Sequence, residues 1–245
     1  FDSGNLPGSP DDPEMEAMRV KVGRELESRG APAASFELLQ ELPLSLLDRC
    51  EPEHLADEIE LARRLKQDQK GTLCTCRYDA SLKAMRYTVI RREAERSIGT
   101  FARATGALST SGLTIMRAQI ETVGGLAWDY FWVIDPNQPD QQTTSPRSDQ
   151  VCQRVCHLLD SPGEALPPHR RTWSTKGVRE PDSVNVLPTK VVFDNDTVDR
   201  YTILSFFAYD EIGLLYRIAA SLAENKVVLH FAKIDTHLDQ VADVF

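Results

Sequence analysis

Long apolar runs are missing from this sequence of 245 residues. No run approaches the ~20 residues that a membrane-spanning helix needs, and no signal peptide is visible at the start. The cysteine count is five, an odd number, which without a secretory signal favours reduced thiols. We therefore expect a cytoplasmic chain with no membrane partner.

Excess positive charge is also missing. The chain carries 28 Lys and Arg residues against 37 Asp and Glu residues, a formal net charge of −9. A nucleic-acid surface would need a basic patch, so no nucleic-acid partner is expected. The cluster His169-Arg170-Arg171 with Trp173 could bind phosphate or RNA. In so acidic a chain, a solvated loop is the favoured interpretation.

Catalytic motifs are absent as well. The sequence has no adjacent His-Asp pair of a metal phosphohydrolase and no Gly-Ser element followed by Asp-x-Asp. It has no glycine-rich phosphate loop and no Gly-x-Ser-x-Gly elbow. Asp194-Asn195-Asp196 imitates a metal-binding Asp-x-Asp, but it lies between two strand-like segments and predicts a turn. We predict no catalytic residue and no cofactor in this chain.

Two cysteine pairs allow a metal hypothesis. Cys74-x-Cys76 and Cys152-x₃-Cys156 could together hold zinc. Structural zinc sites favour two-residue gaps and turn geometry, however, and cysteine often serves as a small apolar residue on a helix. The second interpretation is favoured, so no metal site is predicted.

A repeat organises the chain. Shifted by 114 positions (200 − 86), Arg86–Phe131 lies on Arg200–Phe245 without a gap, with 13 identical residues among 46. Such a repeat indicates one supersecondary unit used twice. The alignment places Tyr87 and Tyr201 on equivalent opening strands.

Each copy has the pattern strand, glycine turn, helix, strand, strand. In the second copy a β-branched and aromatic run precedes the turn at Gly213, and an apolar stripe with helical spacing follows it. Ser145-Pro146 begins a second helix of the first copy, to Leu159, and Lys190–Phe193 supplies a closing strand. The fold class predicted is α+β, with tandem ferredoxin-like βαββαβ units.

The predicted organisation has four parts. Residues 1–13 form a disordered lead-in, 14–71 a helical linker, 72–195 the first unit with a long loop, and 196–245 an incomplete second unit. Both ends are expected to be cut from a longer chain. The second unit should lack one strand and leave an apolar face uncovered, exposing residues from the set Ile203, Phe207, Leu229 and Ile234.

Four segments carry a family resemblance. Asp210-Glu-Ile-Gly-Leu-Leu-Tyr216, Ala232-Lys-Ile-Asp-Thr236 and Asp243-Val-Phe245 resemble the ACT domain. Pro188–Asn195 resembles the link between the tandem ACT domains at the C-terminus of bifunctional uridylyltransferase/uridylyl-removing enzymes. The resemblance implies a glutamine-sensing region of an enzyme that acts on the PII signal protein. It implies magnesium only for the full-length enzyme.

The strand-to-helix turn of the second unit is the predicted ligand site. Asp210, Glu211, Ile212, Gly213 and Leu214 surround a helix start whose free N–H groups attract a carboxylate, while Asp210 could receive an ammonium group. Helix capping alone would equally explain Asp210. In the first unit only Gly99 is kept, since Arg96 replaces the acidic residue, so a smaller contribution is expected there.

Two functions follow from this reading. The first is a sensor of glutamine or another amino acid that controls attached catalytic domains acting on PII. The second is a degenerate ACT pair that serves only as a dimerisation or interaction module, with a homodimer as one possible product. The turn of the second unit favours the first function, whereas the eroded turn of the first unit favours the second.

Overall fold

The computed structural model describes residues 13–47, 51–68, 71–92, 98–161, 163, 189–209, 213–237 and 240–245. The predicted lead-in and the cluster at His169 therefore lie outside the described residues, apart from Pro13. No described helix is long and apolar enough to cross a membrane.

Four helices come first, as the sequence predicts for the linker segment. They are α1 (Pro13–Ser28), α2 (Ala33–Glu41), α3 (Leu44–Leu47) and α4 (Pro52–Asp68). Proline at the first position of α4 suits a helix start, because its missing N–H would have no intrahelical partner there. We refer to α1–α4 as the helical segment.

The rest of the described chain forms one antiparallel sheet with three more helices. The strands are β1 (Thr72–Asp79), β2 (Ala84–Arg92), β3 (Thr114–Val123), β4 (Leu126–Ile134), β5 (Lys190–Asp194), β6 (Ile203–Tyr209), β7 (Ala232–His237) and β8 (Gln240–Val244). The helices are α5 (Thr100–Thr110), α6 (Pro146–Asp160) and α7 (Leu214–Glu224). The sheet order is β1-β2-β4-β3-β7-β8-β6-β5, so each half has the ferredoxin-like order.

The α+β class with two ferredoxin-like units is thus confirmed, but one strand was assigned to the wrong unit. The strand at Lys190–Phe193 does not close the first unit; as β5 it pairs with β6 at the far edge of the sheet. The first unit is closed instead by β1, which pairs with β2. In each unit the edge strand therefore precedes the other three strands in the chain, and the second unit does not lack a strand.

The repeat holds with a correction at its opening strand. Helices α5 and α7 match at an offset of 114 (214 − 100), as do β4 and β8 from their first residues (240 − 126). In the opening strands, however, Tyr87 pairs with Phe131, and Leu204 pairs with Phe245. Since Phe131 and Phe245 are equivalent in the repeat, Leu204 is the equivalent of Tyr87, and the offset in the opening strands is 117 (204 − 87). The predicted equivalence of Tyr87 and Tyr201 is wrong: Tyr201 precedes β6 and is exposed.

Two cores lie on opposite faces of the sheet. One joins both units beneath α5, α6 and α7, and includes Phe131, Leu204 and Phe245. The other lies between the helical segment and the first unit alone, and includes Trp128, Tyr130 and Trp132. Successive residues of β4 point to opposite faces, so this one strand contributes to both cores.

A buried polar cluster fixes the helical segment to the sheet. Glu58 on α4 is 1% exposed and accepts hydrogen bonds from Arg86 Nη2 (2.9 Å), Thr88 Oγ1 (3.0 Å) and Tyr130 Oη (2.6 Å). The Arg86 guanidinium also lies 4.9 Å from the centre of the Tyr130 ring. A charge buried in this way is tolerated only when it is paired, so the cluster sets the position of α4.

The second unit has exposed apolar residues, but only one of them is among the four expected. Of the four predicted, only Phe207 is exposed; Ile234 is buried, and Ile203 and Leu229 are half-buried. Among the residues that the structure describes, the most exposed large apolar side chain is Phe193 on β5, at 67%. Phe193 pairs with Leu204 on β6, and the equivalent pair in the first unit is Cys76 with Tyr87. In the first unit, α6 covers this edge of the sheet.

Candidate ligand site

The two helix starts have the same backbone geometry. Gly99 precedes α5 with φ 84° and ψ 0°, and Gly213 precedes α7 with φ 78° and ψ 9°. Residues with a side chain are strained in this left-handed region, which explains why glycine stands at both turns. The first N–H groups of each helix lack intrahelical partners, so each start attracts negative charge.

The units meet about a local two-fold axis. Strands β3 and β7 pair antiparallel, with Ala118 opposite Ile234 and Ile120 opposite Ala232. Because Ala118 corresponds to Ala232 and Ile120 to Ile234 in the repeat, the pairing is reciprocal. Helices α5 and α7 contact each other above this seam.

Gly99 faces the end of the partner helix. A Cβ atom built on Gly99 would lie 3.6 Å from the Cβ of Ala223 on α7. The turn of the first unit is thus completed by the second unit. The sequence pattern could not indicate this contact, because it depends on the pairing of β3 with β7.

A cavity lies at this junction. Its volume is about 30 Å³. The first unit contributes Gly99, Thr100, Phe101, Ala102, Ile120, Ala127 and Asp129, and the second unit contributes Ala219, Leu222, Ala223, Val227 and Leu229. The volume admits about two water molecules, so the walls must separate before an amino acid could enter.

Asp129 is the one acidic residue among the residues that line the cavity. It lies on β4 and is 2% exposed. The start of α5 and the carboxyl group of Asp129 therefore line the same cavity, together with apolar side chains from α7 and from the segment after it.

One of the predicted site residues lies at this cavity. Gly99 lines the cavity, whereas Gly213 and Leu214 are not among its lining residues. Asp210, Glu211, Ile212 and Arg96 lie outside the described residues, so the site at Asp210 stays a prediction. Asp129 is not among the predicted residues, although its identity with Asp243 in the repeat, where both are buried, was a usable signal.

Two of the four cysteines on β1 and α6 are in contact. Cys74 Sγ and Cys152 Sγ are 2.9 Å apart. In the described part of the chain, no group of three or more His, Cys, Asp or Glu side chains is arranged to hold a metal ion. The hydrogen bond to Cys152 and burial raise the pKa of Cys74, and burial raises the pKa of Cys156 to about 11. The raised pKa values keep the thiols of Cys74 and Cys156 protonated at neutral pH.

Asp194 performs the turn chemistry that the sequence predicts. Its carboxylate accepts hydrogen bonds from the Asp196 N–H (2.9 Å), the Thr197 N–H (2.9 Å) and Thr197 Oγ1 (2.6 Å). These bonds, first among them that from the Thr197 hydroxyl, lower the pKa of Asp194. The carboxylate is occupied in closing the turn after β5.

The curated proteins that resemble this chain in sequence include several enzymes of one kind. Bifunctional uridylyltransferase/uridylyl-removing enzymes match the chain: that of Ruegeria pomeroyi is 33% identical over 60% of this chain and 16% of its own length. That of Erythrobacter litoralis is 28% identical over 94% and 24%, and that of Azospirillum brasilense 25% identical over 79% and 20%. The chain thus spans at most about a quarter of these relatives.

Two further comparisons add no argument. No family model matches the chain. The crystal structure of aspartate kinase from Synechocystis superposes with a TM-score of 0.32 at 12% identity, covering 76% of this chain and 35% of that one.

Proposed function

We propose that this chain, which is homologous to one region of the bifunctional uridylyltransferase/uridylyl-removing enzymes, is an amino-acid-sensing regulatory region. The observation that carries the proposal is the cavity between the units, where the start of α5 and the buried Asp129 lie together. The α-carboxylate of the ligand contacts the N–H groups at Thr100 and Phe101, and its ammonium group contacts Asp129.

Glutamine is the ligand we propose, on the resemblance to the tandem ACT regions of these enzymes. Its side chain extends toward Leu222, Val227 and Leu229, which line the cavity from the second unit. Binding separates α5 from the end of α7, because the cavity is too small in its present form. The attached catalytic domains, and through them the PII protein, respond to that separation.

An interaction module is the second candidate. The small volume of the cavity and the exposed Phe193 are the observations that support it. Such a module joins chains, for example into a homodimer, without a ligand. The two functions predict different responses to free amino acids.

Calorimetry with free ligands separates them. We expect glutamine to bind, whereas N-acetylglutamine and glutaminamide, which lack the ammonium group and the carboxylate respectively, should not. Asp129→Asn should weaken binding ~10–150-fold, the equivalent of one hydrogen bond between charged groups at ~1.5–3 kcal/mol. Asp140→Asn, which removes the same charge from an exposed loop, is the matched control.

Three outcomes discriminate. Equal binding of glutamine and N-acetylglutamine would contradict the role of Asp129. Loss of binding in Asp210→Ala but not in Asp129→Asn would move the site to the turn of the second unit, as the sequence predicts. Absence of heat with every amino acid, together with concentration-dependent dimerisation, would favour the interaction module.

A further inference from the structure

We propose that Cys74 and Cys152 form an intramolecular disulfide when the chain meets a low-molecular-weight disulfide oxidant, and that this bond fastens α6 to β1. The two Sγ atoms are already 2.9 Å apart across the seam between strand and helix. A disulfide bond is ~2.05 Å long, so the sulfur atoms must approach by only about 1 Å.

The position of α6 holds the two thiols together. Val151, Val155 and Leu159 are buried on the face of α6 that meets the sheet. At the other end of the seam, Asp160 accepts hydrogen bonds from Thr72 Oγ1 (2.7 Å) and from the Thr72 N–H (3.3 Å). Cys74 and Cys152 thus lie between a buried apolar stripe and a fixed helix end, with little freedom to separate.

The neighbouring cysteines have different surroundings. Cys76 is hydrogen-bonded with Tyr87 and Ser148, while burial raises its pKa to about 12. Cys156 lies one helical turn beyond Cys152 on α6. The geometry therefore selects one pair among the four thiols, and the other two serve as internal controls.

The reaction is two successive thiol–disulfide exchanges. The thiolate of Cys152, which is half-buried, attacks one sulfur of the oxidant, forms a mixed disulfide and releases the first small thiolate. Cys74 then loses its proton to hydroxide, attacks Cys152 Sγ and releases the second small thiolate. Two cysteine thiols are oxidised to one disulfide, and the small disulfide is reduced to two thiols.

Oxidation has a structural consequence. The bond joins residues 78 positions apart in the chain, and a loop of that length gives a large entropic stabilisation. Strand β1 directly follows the helical segment, so the disulfide also holds that segment's connection to the sheet. We expect the melting temperature to rise by roughly 5 °C or more on oxidation.

Peptide mapping tests the proposal on the whole chain. The protein is incubated with oxidised glutathione, alkylated, digested with trypsin and analysed by mass spectrometry without reduction. We expect a cross-link between Gly71–Arg77 and Ser148–Arg154, formed faster at higher pH because the attacking group is a thiolate. Dithiothreitol should abolish both the cross-link and the rise in melting temperature.

Serine variants identify the pair, because Gly71–Arg77 contains both Cys74 and Cys76. Cys76→Ser should keep the cross-link and Cys74→Ser should lose it. A cross-link from Gly71–Arg77 to Val155–Arg170, which contains Cys156, would overturn the proposal, as would a cross-link that persists in Cys74→Ser. Full alkylation of Cys74 and Cys152 in the oxidised wild-type chain would overturn it without any variant.

Discussion

Replacing Glu58 by glutamine should detach or loosen the helical segment. Glu58 is 1% exposed and pairs with Arg86, whose side chain is 5% exposed. The variant keeps the size of the side chain but leaves the arginine charge buried without its counterion. Removing one partner of a buried ion pair costs ~3–5 kcal/mol, a large part of the ~5–15 kcal/mol that stabilises a typical domain.

Tryptophan fluorescence gives the assay. Trp128 and Trp132 are buried beneath the helical segment, at 0% and 1% exposed, so its detachment should shift their emission to the red. Trp173 lies outside the described residues and is replaced by phenylalanine to leave only these two reporters. Urea titration then measures the free energy of unfolding of each variant.

A surface ion pair provides the control. Glu25→Gln breaks the contact of Glu25 with Arg29, at 3.8 Å and with both side chains exposed to solvent, and should cost less than ~1 kcal/mol. The double variant Glu58→Leu with Arg86→Leu should recover part of the loss, because neither charge remains buried. A Glu58→Gln variant within ~1 kcal/mol of the parent chain would refute the reasoning.

Three further predictions concern other parts of the chain. Phe193→Ser should reduce self-association measured by analytical ultracentrifugation, since it removes a large apolar side chain that is 67% exposed; unchanged association would show that β5 is not the contact. Burial raises the pKa of Asp57, but hydrogen bonds from Arg29 and Arg77 outweigh this and lower it overall. Its stabilising contribution should therefore be complete above the unfolded pKa and be lost as pH falls through the lowered folded pKa, so Asp57→Asn should flatten the acid limb of a stability profile. Finally, the purified chain with UTP, magnesium and PII should transfer no uridylyl group, since it lacks the motifs of that chemistry; measurable transfer would contradict this.

The sequence by itself determined the local features of this protein. The repeat identified two copies of one unit, and glycine at 99 and 213 marked two turns that need a left-handed backbone. Ser145 and Pro146 marked the start of α6, and the structure has a capping box there. These features depend on neighbouring residues and on backbone sterics, so a pattern in the chain is sufficient to indicate them.

Tertiary structure decided which segments pair. The strand at Lys190 joins β6 rather than the first unit, and the opening strands differ by three positions (117 − 114) despite identical residues at 86–88 and 200–202. Which strands pair depends on the side chains that they bury together in a shared core. Local patterns along the chain do not specify these contacts. The cavity at Gly99 and Asp129 follows from the same cause, because it exists only where β3 meets β7 and two distant helices come together.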